Sequence, residues 1–283
     1  MRVLITGATG QVGSEVVEVC ERAGDEVVGF TFPHHDVSDR DAVLQLVTTT
    51  RPDAVIHTAA YTAVDACESD PDGAFKTNAL GTRNVVEAAQ LVGAHVVALS
   101  TDYVFDGTKA TPYDEWDEPN PLSVYGRSKL AGERELLAAS SHTLVRISWA
   151  CGRHGANMVK TVLRLAEDGV NPSFVDDQRG CPTVVEDLAP VLRRFAVERR
   201  LGTFHVTNQG ALSWCDLARL VFRLAGHDDA RVTSISTADL VPPRAAVRPA
   251  NSVLDNAALR LASLPLLPHH ETSIARLVAQ LRG

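Results

Sequence analysis

Two side chains with complementary proton chemistry stand four residues apart, Tyr125 and Lys129. Good helix formers predict a helix over residues 123–138, and residues four apart lie on one helical face. An ammonium group beside a phenol favours the phenolate, so Lys129 would lower the pKa of Tyr125 toward the working range. Such a pair can pass a proton to or from an alcohol or a carbonyl. The alternative is a partly buried tyrosine and a solvated lysine on an ordinary helix.

The stretch before this helix brings a third candidate to the same place. The apolar run 95–99 has the length of a buried strand and breaks at the polar residues Ser100, Thr101 and Asp102. Open α/β sheets bind their ligands at such strand ends. Thr101 would therefore supply a hydroxyl that orients the oxygen on which Tyr125 acts.

The N-terminal stretch predicts a dinucleotide site. Arg2–Thr6 reads as a buried strand, and a glycine turn with G-x-x-G-x-x-G spacing leads into a helical pattern. Glycines let the backbone approach a pyrophosphate, whose charge a helix N-terminus favours. The alternative is a tight turn without a ligand. The predicted cofactor contacts of this turn are Gly7, Gly10, Gln11, Val12 and Gly13.

The end of the second predicted strand, Glu26–Phe30, bears on the choice of cofactor. An NAD site commonly has an acid here for the ribose 2′-hydroxyl, whereas this chain continues with Thr-Phe-Pro-His-His at 31–35. NADPH is therefore favoured and NADH stays possible, although no arginine fork replaces the acid. Asp36 and Val37 are predicted at the adenine; alternatively, Asp36 belongs to a helix-capping turn.

The third predicted strand, Ala54–His57, is followed by small residues that permit close approach of a cofactor. Ala59, Ala60 and Tyr61 are the predicted contacts. Asn78, on the helix that Asp70 and Pro71 begin, is a further candidate or else a buried asparagine with satisfied hydrogen bonds.

Length and composition indicate a globular enzyme with one main domain and a smaller lobe. The chain has 283 residues, 45% of them hydrophobic and 22% charged. No apolar run approaches the roughly 18 residues of a membrane span, and Met1-Arg2 leads into a strand without a signal peptide. The net charge of −8 argues against a nucleic-acid surface. Five scattered cysteines favour reduced packing residues, so the cytoplasm is the expected compartment and no metal ligand is assigned.

The regular alternation of strand and helix loosens after Cys151, which suggests a lobe boundary. The dinucleotide domain is predicted at 1–150 plus about 184–210, and the substrate-binding lobe at about 151–183 and 211–283. Further predicted elements are helices at 156–167, 185–199, 214–225 and 270–281 and strands at 143–147, 173–175 and 203–207.

Several blocks in the expected order resemble the extended short-chain dehydrogenase/reductases and, within them, the dTDP-4-dehydrorhamnose reductase family. The superfamily motifs are TGATGQVG at 6–13 and YGRSK at 125–129. The more specific blocks are AAYTAVDACE at 59–68, STDYVFDG at 100–107, PNPLSVYGRSKLAGE at 119–133, VDDQRGCPT at 175–183 and RPANSVLD at 248–255.

The resemblance implies an α/β fold, a Rossmann-type doubly wound parallel sheet with a smaller, mostly C-terminal lobe. It also implies NADPH-dependent reduction of the C4 ketone of dTDP-4-dehydro-L-rhamnose to dTDP-L-rhamnose. Thr101, Tyr125 and Lys129 would be the catalytic residues. Tyr125 would donate the proton, Lys129 would also hold the nicotinamide ribose, and Asn78 would support Lys129 through water.

For the nucleotide sugar, the resemblance places Asp102, Tyr103 and Val104 near the sugar and makes Trp149 an apolar wall, with a plain core position as the alternative. The candidates for the diphosphate are Arg146, Arg179 and, favoured by its block, Arg248. Structural ion pairing is the alternative for each arginine. Asp176 and Asp177 are expected to shape the substrate loop.

Two enzymatic readings and one non-enzymatic reading stay open. Another nucleotide-4-keto-6-deoxysugar reductase would carry the same motifs, and so would a non-catalytic dinucleotide-binding regulatory subunit, although the intact triad argues against the latter. Some family members form metal-bridged dimers through surface carboxylates that we do not match here. Mg²⁺ is therefore doubtful, and the chain is expected to be a monomer or a homodimer.

Overall fold

A parallel sheet of six strands forms the centre of the computed structural model, which describes residues 1–283. The strands of the molecule are β1 Arg2–Thr6, β2 Glu26–Phe30, β3 Ala54–His57, β4 His95–Thr101, β5 His142–Ile147, β6 Ala150–Cys151, β7 Ser173–Val175, β8 Arg179–Gly180, β9 Thr183–Val184, β10 Gly202–His205, β11 Leu212–Ser213 and β12 Thr233–Ile235. The α-helices are α1 Gln11–Arg22, α2 Arg40–Thr50, α3 Val64–Ser69, α4 Pro71–Phe75, α5 Gly81–Val92, α6 Val124–Leu137, α7 Met158–Glu167, α8 Val185–Glu198, α9 Trp214–Leu224, α10 Ala257–Leu261 and α11 His270–Arg282.

The strand order of the central sheet is β10-β5-β4-β3-β1-β2, and all neighbours are parallel. Since β2 and β3 flank β1 on opposite sides, the direction of winding reverses there. The carboxyl ends of strands at such a switch point form the crevice in which open α/β sheets bind ligands. The predicted doubly wound parallel sheet is confirmed.

Both faces of the sheet are buried, which explains its nearly continuous apolar strands. Side chains alternate between the faces: Val3 and Ile5 of β1 pack in the cluster with α1 and α8. Leu4, between them, packs in the cluster with α2, α5 and α6. The fold is therefore a sheet between two helical layers.

A second core lies outside the sheet. It is built from apolar side chains of α7, α9 and α11, such as Val162, Phe222 and Ile274. β10 returns to the main sheet beside β5, as the sequence predicts for this region. However, α10 packs Leu259 into a core of the main sheet, so part of 211–283 belongs with the sheet. The predicted domain boundaries stay a prediction.

Polar side chains decide where the elements next to the sheet ends begin. Ser123 accepts a hydrogen bond from the Gly126 amide and starts α6 as predicted. Asn157 caps α7 by accepting from the Lys160 amide, so this helix begins at Met158 and not at 156. β4 continues through Thr101, past the predicted break, because it pairs with Ile147 of β5.

All five cysteines are unpaired and buried. None of the helices combines the length and apolar character needed to cross a bilayer.

Candidate active site

Two connected clefts run along the carboxyl ends of β1, β3 and β4. The first, of about 550 Å³, lies over the turn after β2, and the second, of about 450 Å³, reaches α6. Gly10, Thr58 and Ala60 line both. They therefore form one groove that an extended ligand can occupy.

At the floor of this groove, the glycine turn exposes backbone atoms that no side chain covers. Gly7 has φ +68°, and a Cβ there would lie 2.9 Å from Ala59 Cα. A Cβ on Gly13 would collide with the Gly7 carbonyl oxygen. Only glycine fits these positions, and α1 begins directly behind them at Gln11. The turn therefore fits a pyrophosphate at a helix N-terminus.

Most of the predicted cofactor residues line the groove. Gly7, Asp36, Val37, Ala59 and Tyr61 lie in the first cleft only. The second cleft contains Gln11, Val12, Gly13, Tyr125 and Lys129, and Gly10 and Ala60 belong to both.

Asn78 lines neither cleft. It lies on a π-helical turn, Lys76–Leu80, where its Oδ1 accepts from the Tyr61 amide at 2.8 Å. Its Nδ2 donates to the Tyr61 carbonyl at 3.1 Å and to Ser128 Oγ at 2.9 Å. The amide is fully used in joining the Tyr61 turn to α6, which matches the alternative of a buried, satisfied asparagine.

Tyr125 and Lys129 are buried on the first turns of α6 and face the second cleft with Thr101. Lys129 Nζ donates to the Leu99 carbonyl at 2.8 Å. Burial lowers the pKa of Lys129 to about 8, although the Glu133 carboxylate opposes this.

The predicted lowering of the Tyr125 pKa is not found. Burial raises the pKa of Tyr125, and the Thr101 hydroxyl only partly opposes it. Lys129 directs its ammonium group to the Leu99 carbonyl, and the cost of burying a phenolate dominates at Tyr125.

Thr101 and Asp102 form a hydrogen-bonded pair at the end of β4. Thr101 Oγ1 donates to Asp102 Oδ1 at 3.0 Å and accepts from the Tyr103 amide at 3.2 Å. Ser148 Oγ donates to Asp102 Oδ2 at 2.8 Å. Burial raises the pKa of Asp102 to about 6, against the hydroxyls of Ser252, Ser148 and Thr101.

An aromatic wall closes the second cleft. Trp149, with φ +47°, stacks on Trp214 with ring centroids 3.5 Å apart and planes 9° apart. Its other neighbour is Gly180, where a Cβ would lie 2.5 Å from the indole. Trp149 therefore lines the site as expected. Sequence reasoning missed Trp214, because a tryptophan at the start of an amphipathic helix carries no distinguishing signal.

Tyr103 lines the cleft with its ring edge toward Tyr125, at a centroid distance of 5.7 Å. Behind it, Arg248 donates to Asp65 Oδ1 at 3.0 Å and Oδ2 at 2.6 Å and reaches the Tyr103 hydroxyl. Arg248 holds the pKa of Asp65 at about 2. Arg248 thus lies behind the wall of the cleft, held by a carboxylate that the sequence did not single out.

Two predicted ligand contacts are placed elsewhere. Val104 is fully buried in a cluster with Phe105 and Tyr113 and does not line the cleft. Arg146 is buried and donates twice to Glu133, at 2.9 and 2.7 Å, so it has no free guanidinium for a diphosphate. Both departures follow from strand and turn positions that face the interior.

The remaining candidates, Arg179, Asp176 and Asp177, lie on or beside a loop outside the two clefts. Arg179 is exposed and lines neither cleft. Asp176 accepts from Ser234 Oγ, and Asp177 accepts from the Thr237 amide at 2.8 Å. These two aspartates fix the loop to β12 and to the turn that follows it.

Glu15, Glu18 and His154 approach each other closely enough to hold a metal ion. Arg153 already bridges the two carboxylates, with a 2.9 Å contact to Glu15 and a shorter one to Glu18. Its guanidinium supplies the positive charge that the cluster needs, and no metal is assigned to it.

Comparison with known proteins identifies the family. The family profile described as "RmlD substrate binding domain" matches residues 1–282. A dTDP-4-dehydrorhamnose reductase from Sinorhizobium fredii is 39% identical, with 98% of this chain and 97% of that one aligned. A dTDP-4-keto-6-deoxy-D-glucose reductase from Streptomyces niveus is 35% identical, over 97% and 96%.

A solved structure shares the whole fold. The crystal structure of dTDP-4-dehydrorhamnose reductase from Bacillus anthracis in complex with NADP superposes with a TM-score of 0.94, at 38% identity and 99% coverage of both chains. The chain therefore belongs to the dTDP-4-dehydrorhamnose reductase family of the extended short-chain dehydrogenase/reductases.

Proposed function

We propose that the protein catalyses NADPH-dependent reduction of the C4 ketone of dTDP-4-dehydro-L-rhamnose to dTDP-L-rhamnose. The observation that carries this is the meeting of Thr101, Tyr125 and Lys129 at the end of β4, in a cleft continuous with the glycine turn. Full-length similarity to reductases of that name and to a structure bound to NADP supports the substrate and the cofactor.

NADPH supplies the hydride when bound in the groove. Tyr125 donates a proton to the oxygen that develops charge at C4, since its raised pKa keeps it protonated. Lys129 would hold the nicotinamide ribose when the cofactor is bound, and it contributes positive charge near the site. Thr101 orients the carbonyl oxygen, and Trp149 with Trp214 forms the apolar wall against the sugar.

The nucleotide part of the substrate extends toward Tyr103 and Arg248. The Arg248 guanidinium, fixed by Asp65, provides positive potential for the diphosphate at this end of the cleft. Asp102 supports Thr101 through a hydrogen bond and lines the cleft next to it, so its place near the sugar stays a prediction.

The decisive experiment is NADPH oxidation with freshly generated dTDP-4-dehydro-L-rhamnose, with the product sugar identified. Turnover to dTDP-L-rhamnose supports both the reaction and its stereochemistry. No turnover, with NADPH still bound, would contradict the proposal and favour a regulatory subunit or a different keto sugar.

A second candidate is reduction of dTDP-4-keto-6-deoxy-D-glucose, after the named activity of the Streptomyces niveus relative. The two reactions differ in the sugar that lies over the nicotinamide. Parallel assays with both ketones at equal concentration, compared by kcat/KM, distinguish them.

The compartment and the assembly are proposed on less direct grounds. Five unpaired cysteines are typical of a reducing compartment, and we place the enzyme in the cytoplasm. It is a monomer or a homodimer, which sedimentation velocity would determine.

A further inference from the structure

The Asp102 carboxyl lies beside the reaction centre, and the proposed mechanism gives it no proton to handle. It is 2% exposed and follows Thr101 directly. Thr101 and Ser148 each bond one of its oxygens, and the nearby Ser252 hydroxyl, which donates to the Arg179 carbonyl at 3.3 Å, also opposes the rise of its pKa. No lysine, arginine or histidine forms an ion pair with it. A buried carboxyl with hydroxyl partners only is exceptional, because buried charges are usually paired.

The state of Asp102 determines where the single hydrogen of the Thr101 hydroxyl points. When the carboxyl is ionised, Thr101 donates to Oδ1 at 3.0 Å. Its remaining lone pairs then accept, as they do from the Tyr103 amide. Thr101 would thus have no hydrogen for a ketone oxygen, which needs donors as charge develops on it.

We propose that Asp102 is a positioning residue that works in its protonated form: the carboxyl O–H donates to Thr101 Oγ1 and thereby frees the Thr101 hydrogen for the substrate carbonyl oxygen. The inference rests on the proposed reductase activity and adds to it. Ser148 holds the carboxyl in place in either state, because it donates to the other oxygen, Oδ2.

Few other groups near Asp102 change charge near neutral pH. Tyr103 and Cys181 face it, and burial raises their pKa values to about 12 and about 11. Tyr125 also stays neutral, since burial raises its pKa. Across the cleft, Lys129 has a pKa of about 8. Arg248 and Asp65, behind Tyr103, keep their charges. With a pKa of about 6, Asp102 titrates first as the pH rises from 5.

The test is the pH profile of kcat/KM, which reports groups of the free enzyme. The wild type should lose activity as the pH rises through the Asp102 pKa, approaching roughly tenfold per pH unit for one essential proton. Asp102→Asn keeps a permanent donor toward Thr101 and an acceptor toward Ser148. At pH 5.5 the kcat/KM of this variant should stay within about threefold of the wild-type value. Its kcat/KM should not fall as the pH rises through the range in which wild-type activity is lost.

Ser148→Ala provides an independent variant. Removing a donor that stabilises the carboxylate raises the Asp102 pKa, so the decline should move to higher pH. A residue with a merely structural role would not shift the profile in this way. The inference is overturned if Asp102→Asn is inactive at every pH, if the wild-type profile is flat from pH 5 to 7.5, or if Ser148→Ala leaves the decline in place.

Failure of the proposed function is recognised separately. Absence of turnover with both dTDP-4-dehydro-L-rhamnose and dTDP-4-keto-6-deoxy-D-glucose would remove the reductase activity. The protonation state is then read directly from the ¹³C carboxyl resonance of Asp102 in the NADPH complex, assigned by its loss in Asp102→Asn. A carboxyl that is ionised at pH 5 would overturn the inference without any assay.

Discussion

The surroundings of Tyr125 keep its hydroxyl protonated, as the proposed role of proton donor requires. Its ring is buried on α6, and burial raises its pKa, so the hydroxyl stays protonated at the pH at which a reductase works. The proposed ketone reduction consumes that proton, and a second acid in the cleft, Lys129, is bonded to the Leu99 carbonyl.

Tyr125→Phe should therefore lower kcat by roughly 10²–10⁴-fold, the usual contribution of a general acid. The affinity for NADPH should stay the same because the ring still fills its place. Steady-state kinetics and fluorescence titration of NADPH measure the two effects. Turnover near that of the wild type would remove Tyr125 from the mechanism.

We expect the residues at the end of β2 to determine the relative affinity for NADPH and NADH. The first cleft is lined there by Thr9, Thr31 and His35, without an acid directly after Phe30. The hydroxyls of Thr9 and Thr31 are 2.5 Å apart and can both turn toward a phosphate. NADPH should therefore bind at least as tightly as NADH in direct titrations.

Thr31→Asp is the matched variant for this expectation. A carboxylate at that position would bond a ribose 2′-hydroxyl and repel a 2′-phosphate, so the ratio of the two dissociation constants should move toward NADH. A strong preference of the wild type for NADH would contradict this expectation. It would mean that the turn after β2 does not favour the 2′-phosphate over the 2′-hydroxyl.

At the scale of elements, Asp65 connects α3 to the segment that carries Arg248. It accepts from the Ala246 amide at 3.1 Å and twice from Arg248. Asp65→Asn should raise KM for the nucleotide sugar several-fold and leave the NADPH affinity unchanged, because the segment loses its charged anchor. Arg244→Gln is the control, since Arg244 is 57% exposed and 3.8 Å from Asp65. Equal effects of the two variants would contradict this role.

Local pattern was sufficient to predict the elements that carry the chemistry. The glycine turn, β4 and α6 follow from apolar runs, capping residues and spacing, which act over a few positions. Contacts between residues far apart in the sequence could not be predicted. Arg248 meets a carboxylate 183 positions away, and Trp214 reaches the cleft only because the second core places α9 beside Trp149. The presence of an arginine or a tryptophan in a sequence does not indicate which residue it will contact in the folded protein.

At the scale of the whole molecule, four buried histidines make stability depend on pH. Burial lowers the pKa of His57 and His205 to about 3 and that of His95 to about 4, and it also lowers the pKa of His270. In the unfolded chain, histidine titrates near 6.5. Between these values the unfolded state binds more protons, so stability is present above about pH 6.5 and is lost as the pH falls.

Acidification from pH 7 to 4.5 should therefore lower the free energy of unfolding, by roughly 1.4 kcal/mol per pH unit for each proton taken up. Asp102 acts in the opposite direction, because its raised pKa lets the folded state bind a proton first. The four histidines outweigh it. Urea unfolding at several pH values measures the slope, and His95→Gln should reduce it. Stability that is constant or rises on acidification would contradict this account.

The two cores have a mechanical consequence for how ligands enter and leave. The chain passes between the sheet and the second core after β5, at the start of α8 and again between β10 and β11. Any hinge motion of the second core relative to the sheet must bend all of these connecting segments together. The ion pair of Arg248 with Asp65 restrains the same motion. The cofactor and the sugar would displace water from the groove as they bind, so the ligands themselves would complete the enclosure for hydride transfer.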